Sequence, residues 1–340
     1  MTIYLPIQLK KTGGTSTFAH KFQAGMKTRG HLVTLTHPKK YNALLASPRA
    51  PLSCLIQAKR DKTPVIHRLD GVFYPGTTAG WLYPFHNLPL RLIRNHFANF
   101  IVYQSKFSQQ SCERYLGHTS TPSTIIYNGV DTTQFTPDGP KANIRDNPNQ
   151  HVFITVSRFR RPDQIIPILD AFAIYREKFS NNTKLIIIGN FERETTTVPD
   201  QYKKYPGVKF QGIVPNKKLP AYLRAADVFV FTHRNPPCPN NVIEAMACGL
   251  PICGIASGAM PEIVTDGQEG KLLPTKTTYT KHNAHDLNSF TANMATCCAN
   301  KQIYSKNARQ TAKQNFALYH MITNYQHVIE TLLPRHPLPA

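Results

Sequence analysis

Residues 234–264 read RNPPCPNNVIEAMACGLPICGIASGAMPEIV, and the way this stretch folds decides the architecture. Pro236, Pro237 and Pro239 exclude a continuous helix, because proline blocks helix interiors but suits a first turn. Asn240 or Asn241 then caps a helix over Val242–Cys248, which ends at Gly249 and Pro251. A buried strand follows at Pro251–Gly254, and a second glycine turn feeds another short helix. The free N–H groups at the start of the first helix form a ready anion site. Glu244 projects from its first two turns, where a carboxylate meets ligand hydroxyls. A nucleotide joined to a sugar offers both partners, phosphates for the amides and hydroxyls for the acid.

Working outward, short β-branched runs alternate with helical segments, the pattern of parallel α/β layers. The strand candidates of the first half are Ile3–Gln8, Leu32–Thr36, Cys54–Gln57, Val65–Leu69, Phe100–Gln104 and Thr124–Tyr127. Those of the second half are Val152–Val156, Lys184–Ile188, Val208–Gln211, Val228–Phe231, Pro251–Gly254 and Lys271–Leu273. Two sets of six predict two doubly wound sheets, and 340 residues suffice for two cores. Thr132–Gln150, rich in Asp, Asn, Pro and Gly, reads as an interdomain linker. From Asn283 to Leu333 the pattern is helical. In the last helix Tyr319, Ile322, Tyr325, Val328, Ile329 and Leu332 recur at helical spacing.

Forty basic residues oppose nineteen acidic ones, a net charge of +21. The first acid is Asp61. Lys10, Lys11, Lys21, Lys27, Arg29, Lys39, Lys40, Arg49, Lys59 and Arg60 precede it unopposed, so nucleic acid or an anionic leaflet is an expected kind of partner if they share a face. No recognised nucleic-acid module, aromatic stacking motif or zinc spacing accompanies the charge. Seven scattered cysteines without a Cys-x-x-Cys pair fit a reducing compartment. Neither a membrane-spanning run nor a secretion signal is expected, which points to the cytoplasm.

The string EAMACGLP followed by GAMPEIV resembles the donor-binding signature of the GT-B glycosyltransferases, specifically the large retaining type called glycosyltransferase family 4 or group 1. The similarity extends over about residues 3–275. GGTSTFAHKFQAGMKTRGHLVTL resembles the family's first βα unit, and IIYNGVDTTQF the strand leading into its linker. The resemblance implies two Rossmann-like parallel-sheet domains facing a cleft: residues 1–140 on the acceptor side, 141–315 binding the donor, and a helix over 316–340 returning to the first domain.

Site residues follow from the same resemblance. Gly13 and Gly14 open a helix whose N–H groups approach phosphate. His67 positions the donor sugar and stabilises charge, while Asp70 either fixes its tautomer or caps the next turn. Asn128-Gly129 reads as a turn with positive φ, with Asp131 and Ser105 as caps. Arg158 grips the diphosphate, as a guanidinium suits phosphate oxygens. Gly189, Gly212 and Ile213 border the nucleotide. Asn240, Asn241 and Val242 bring the helix-start amides, and Glu244 holds the ribose hydroxyls.

Two positions depart from the family. Asp163 stands where a lysine is usual, five residues after Arg158, with Arg160 or Arg161 as a substitute cation. Pro236 stands where a second glutamate is common.

The expected activity is transfer of a sugar from a nucleotide-diphosphate sugar to a hydroxyl of a glycan or lipid-linked acceptor, with retention, in envelope or surface polysaccharide synthesis. The implied mechanism is dissociative, with charge on the leaving diphosphate held electrostatically. No Asp-x-Asp pair occurs, so no carboxylate-held metal and no cofactor is expected. Peripheral contact with an anionic cytoplasmic leaflet is expected, and nucleic acid is not. The competing readings are a catalytically impaired relic that binds a nucleotide or a partner, a nucleic-acid-binding protein, and a nucleotide-sugar epimerase.

Overall fold

The computed structural model describes residues 1–9, 13–77, 80–276, 279–280 and 286–333. They form two compact units: Met1–Gly129 together with the segment that starts at Leu318, and Val130–Ala317. In the first unit the strands are β1 (Thr2–Tyr4), β2 (Leu32–Thr34), β3 (Ala43–Ala46), β4 (Val65–Leu69), β5 (Phe100–Tyr103) and β6 (Ser123–Ile125). Its helices are α1 (Gly14–Lys27), α2 (Leu52–Arg60), α3 (Tyr83–Leu92) and α4 (Lys106–Leu116). All pairings in the sheet are parallel, in the order β2-β1-β3-β4-β5-β6.

Cys54–Gln57, expected as a strand, lies inside α2, and the missing strand is β3. A four-residue apolar run has no periodicity of its own to separate the two forms. Tertiary contacts decide: Cys54, Leu55 and Ala58 share one helical face that packs on Ile93 and Phe97. β3 is buried on both sides, Ala43 and Leu45 toward one core and Leu44 and Ala46 toward another. Central parallel strands are apolar on both faces for this reason.

The second unit contains β7 (His151–Phe159), β8 (Thr183–Phe191), β9 (Val208–Gly212), β10 (Val228–Phe231), β11 (Ile252–Ala256) and β12 (Gly270–Pro274). Its helices are α5 (Ile166–Lys178), α6 (Val198–Tyr202), α7 (Leu219–Ala225), α8 (Asn240–Ala247), α9 (Met260–Ile263), α10 (Leu287–Ala299) and α11 (Lys301–Asn315). The parallel order is β12-β11-β10-β7-β8-β9. Phe153, Ile187, Val230 and Ile255 fill the core against Phe172 of α5 and Phe290 and Met294 of α10. Strand order reverses between β7 and β10, and in the first unit between β1 and β3. Ligand crevices of open α/β sheets lie beyond the strand carboxyl ends at such reversals.

Thr132–Gln150 has little regular structure, yet it is tied to the second unit. Phe135 and Ile144 are buried, and Arg309 donates to the carbonyls of Thr132 (3.0 Å) and Phe135 (2.8 Å). Asp131 caps its turn by accepting from the amide of Thr133 at 2.9 Å. Ser105 does the same for α4 through Ser108.

The last helix, α12 (Leu318–Leu332), belongs to the first unit. Residues 334–340 of the expected segment lie outside the described residues. Tyr325 meets Phe18 and Phe22 of α1 at ring distances of 5.5 and 5.3 Å. Gly25 lets the two helices close, since a Cβ there would fall within 2.7 Å of Ile322. Met321, absent from the expected stripe, is buried, whereas Tyr319 is exposed beneath the guanidinium of Arg29 at 4.8 Å. Gly129 is also a close-approach glycine, because a Cβ there would sit 2.8 Å from the Cα of Leu318. Neither it nor Asn128 has the positive φ expected of an Asn-Gly turn.

Candidate functional site

In the second unit the strand-order reversal brings together the end of β7 and the start of α8. Asn241 donates its side-chain amide to the carbonyl of Val156 at 2.6 Å and accepts from the amide of Val242 at 3.1 Å. Its side chain is therefore used internally, and it fixes the helix start beside β7. The helix begins at Asn240, with Pro239 rather than an asparagine at the cap and no side-chain cap bond. Proline lacks an N–H and holds φ near its helical value, so it starts the helix without adding an acceptor. The amides of Asn240 and Asn241 thus keep no helical partner, the condition an anion needs, while that of Val242 is taken by the Asn241 side chain. Glu244 lies one turn on, 5 % exposed.

Arg158 leaves β7 two residues beyond Val156. Its Nε and Nη2 both address Oε1 of Glu192, at 2.8 and 2.7 Å, and Asn190 donates to the same oxygen at 2.8 Å. Arg160 approaches the other carboxylate oxygen at 3.7 Å. These bonds, that from Arg158 foremost, hold the Glu192 carboxyl below its usual range. Asp163 is not left as a bare acid in place of a lysine. Arg161 grips it through two nitrogens at 3.0 Å each, and Arg234 stands 4.0 Å away. Of the two substitute cations, Arg161 is committed to Asp163, while Arg160 remains 44 % exposed.

The loop between β10 and α8 is braced from two sides. Asn235 has φ +50. Its amide donates to Oγ of Ser257 at 2.9 Å, and that hydroxyl donates to Oδ1 of Asn235 at 3.0 Å. Gly258 must be glycine, since a Cβ would sit 2.6 Å from the Asn235 backbone. His233 stacks on Phe231 and contacts Ser157 Oγ at 2.9 Å. Burial pulls its imidazole down to about 3, so it is neutral here at ordinary pH.

Gly189 is not in a loop. It lies within β8 opposite Ser157, and a Cβ would sit 1.7 Å from the Ser157 carbonyl oxygen. The glycine is there for strand pairing. Gly212 closes β9 with φ +73 and open space around it, and Ile213 beyond it is 62 % exposed.

In the first unit Gly13 caps α1 with φ +124, a conformation suited to glycine. A Cβ on Gly13 or Gly14 would meet nothing within 4 Å. His67 is fully buried in β4. Its Nε2 lies 2.6 Å from the Pro48 carbonyl. A carbonyl only accepts, so Nε2 carries the proton and Nδ1 is the bare nitrogen. Nδ1 is buried without a partner among the described residues. Burial lowers the His67 pKa to about 4.

Pro48, not Asp70, therefore sets the tautomer. Asp70 accepts from Thr15 (3.2 Å) and Gln104 (2.6 Å) and pairs with the buried Arg68. Arg68 donates to Asn128 at 3.0 Å, which in turn donates to Gln104 at 3.1 Å, and its guanidinium covers the Phe18 ring at 3.8 Å. This closed ring ties the start of α1 to the ends of β4 and β5. Arg68, Gln104 and Glu192 were not picked out from sequence, and Asn128 was read only as part of a turn. Glutamine and asparagine at strand ends carry no motif, and Glu192 lies thirty-four residues from its partner.

Residues 150–291 match the family described as Glycosyl transferases group 1. A GDP-mannose-dependent phosphatidylinositol monomannoside mannosyltransferase of Mycolicibacterium smegmatis is 27% identical over 214 residues, 58% of this chain and 55% of that protein. An alpha-maltose-1-phosphate synthase of Mycobacterium tuberculosis is 26% identical over 212 residues, 57% of this chain and 52% of that protein. The chain spans about half the length of these curated relatives.

Among solved structures, sucrose-phosphate synthase of Thermosynechococcus elongatus superposes with a TM-score of 0.77 at 16% identity, covering 97% of this chain and 98% of that one. HepE of Anabaena in complex with UDP-glucose gives 0.73 at 16%, covering 97% and 100%. These likenesses establish the GT-B fold. The signature of residues 234–264 lies inside the segment, 150–291, that matches the group 1 glycosyl transferases.

Proposed function

We propose that the protein is a hexosyltransferase that moves a sugar from a nucleotide-diphosphate sugar to a hydroxyl of a glycan or lipid-linked acceptor. The observation that carries this reading is the bond from Asn241, at the start of α8, to the carbonyl of Val156, two residues before Arg158 on β7 at the β7/β10 reversal. Arg158 and the α8 amides would hold the diphosphate as it departs, an electrostatic task suited to preorganised donors. Glu244 would take the ribose hydroxyls, and Gly13 and Gly14 would let backbone approach phosphate. His67 is neutral and buried, so its part would be to shape and polarise the sugar subsite, not to carry charge.

Retention of configuration, independence of metal and a role in envelope polysaccharide synthesis belong to the same proposal. The absence of an Asp-x-Asp pair supports the second. Relatives named for phosphatidylinositol monomannoside mannosyl transfer and for colanic acid biosynthesis support the third. Among the described residues no helix is long and apolar enough to cross a membrane. Contact with an anionic cytoplasmic leaflet would therefore be peripheral.

The test is calorimetric titration with UDP and with GDP in the presence of a chelator, followed by anomeric analysis of product from the matching sugar donor. Tight binding of one nucleotide, lost in Arg158→Ala, supports the reading. The pairing of Asp163 with Arg161 favours a second one, a nucleotide-binding relic without turnover. Binding without transfer to any hydroxyl acceptor would select it.

A further inference from the structure

Sixteen residues beyond His67 begins α3, preceded by the 3-10 turn Gly80–Leu82 that carries Trp81, and its outer side is as apolar as its inner side. Inward, Asn87 and Leu90 are buried. Asn87 clamps the backbone of Phe73 through bonds of 2.9 and 2.8 Å, and Leu90 joins the core of Leu69, Ile101 and Tyr103. Outward, Trp81, Phe85, Leu88 and Leu92 recur at intervals of four, three and four, which aligns them along one stripe. They are 79, 70, 51 and 45% exposed. Leu52 and Ile56, 60 and 40% exposed, lie on the outside of α2, which packs beside the π-helical turn Ile93–Phe97 that continues α3. A helix apolar on both sides is ordinarily covered, and exposed patches of this kind mark interaction surfaces.

The charge around the stripe identifies what covers it. No Asp or Glu occurs between Asp70 and Glu113. Arg91 is exposed between Leu88 and Leu92, and Arg49 reaches the carbonyl of His86 in α3 at 2.8 Å. Lys59 and Arg60 stand exposed at the end of α2, with Lys59 over the Phe97 ring at 5.8 Å. The one acid there, Asp61, accepts from Gln57. Apolar residues that enter a boundary layer, with cations beside them and no anions between, match an anionic lipid surface.

We propose that α3 docks flat on an anionic bilayer, with Trp81, Phe85, Leu88 and Leu92 entering the headgroup–acyl boundary and Arg91, Lys59 and Arg60 meeting lipid phosphates. This deepens the membrane part of the proposed function by assigning it to α3 together with Lys59 and Arg60, the last two cations of the basic run in the first sixty residues. Part of that run is engaged within the unit: Lys21 donates to Gly129, and Arg29 to Gln326 and Thr323. Lys10 and Lys11 lie outside the described residues.

Trp81 is the only tryptophan in the chain, so its emission reports on this surface alone. The full-length protein is titrated with phosphatidylcholine vesicles with and without phosphatidylglycerol, the acyl chains brominated in a parallel series. The expected result is a blue shift with the anionic vesicles, quenching by the brominated chains, and at least tenfold weaker partition for Phe85→Ser/Leu88→Ser. That double variant keeps the reporter and should bind UDP or GDP as the parent does, which separates this inference from the donor chemistry. An unshifted emission, or co-sedimentation without quenching, overturns it. A blue shift that grows with protein concentration in the absence of lipid also overturns it, and assigns the stripe to a second copy of the chain.

Discussion

Arg158 aims two guanidinium nitrogens at a single oxygen of Glu192, at 2.8 and 2.7 Å. The arginine that would grip a diphosphate is thus already held by a carboxylate thirty-four residues along the chain, at the end of the neighbouring strand. A phosphate that binds there must compete with Glu192 or share the guanidinium with it.

Removing the competing charge should therefore favour the ligand. Glu192→Gln is expected to tighten UDP or GDP binding several-fold, whereas Arg158→Ala should weaken it by at least tenfold. Calorimetry under chelation reads both. Equal weakening in the two variants would mean that Glu192 orients Arg158 for the ligand and does not oppose it.

Glu244 is assigned to hydroxyls, not to phosphates. A charged hydrogen bond contributes about 1.5–3 kcal/mol, so Glu244→Ala should cost the nucleoside diphosphate roughly tenfold or more in affinity. Inorganic pyrophosphate, which has no ribose, should bind the variant as it binds the parent. A matching loss for pyrophosphate would show damage to the α8 start itself.

The two candidate glycines of the second unit should separate cleanly. Gly189→Ala drives a Cβ to 1.7 Å from the Ser157 carbonyl oxygen, and with φ at +139 it should cost more than about 3 kcal/mol of stability. Gly212→Ala meets no atom within 4 Å, so only its left-handed backbone is strained, about 1–2 kcal/mol. Urea unfolding of the two variants measures the difference.

His67 makes stability depend on pH. Its pKa is about 4 in the folded chain, below the ~6.5 of an unfolded histidine. Between these values the unfolded chain binds the proton and the folded one does not, so stability is complete above pH ~6.5 and is lost as pH falls toward 4. The full effect is on the order of 3 kcal/mol. The urea midpoint should drop between pH 6.5 and 5, less steeply in His67→Gln. An unchanged slope in that variant would assign the pH dependence to other groups, with His233 the first to test.

What the sequence determined by itself was the alternation of strands and helices and the one stretch whose chemistry is local. Residues 234–264 are legible because proline, glycine and the helix start act on their near neighbours. Eleven of the twelve strands read from sequence overlap an observed one, all six of the second set and five of the first, since β-branched runs bounded by turns announce themselves. Tertiary structure decided the rest, and each case has the same cause: a partner distant in the chain. Cys54–Gln57 became helix because Ile93 and Phe97 receive one helical face. Gly189 is a strand-pairing residue because Ser157 lies opposite it. The tautomer of His67 is set by Pro48, Asp70 is bound into a ring with Arg68, Gln104 and Asn128, and Arg158 is held by Glu192. Local sequence encodes backbone preference and burial pattern, whereas the partner of a buried polar group is fixed only when the strands are laid side by side.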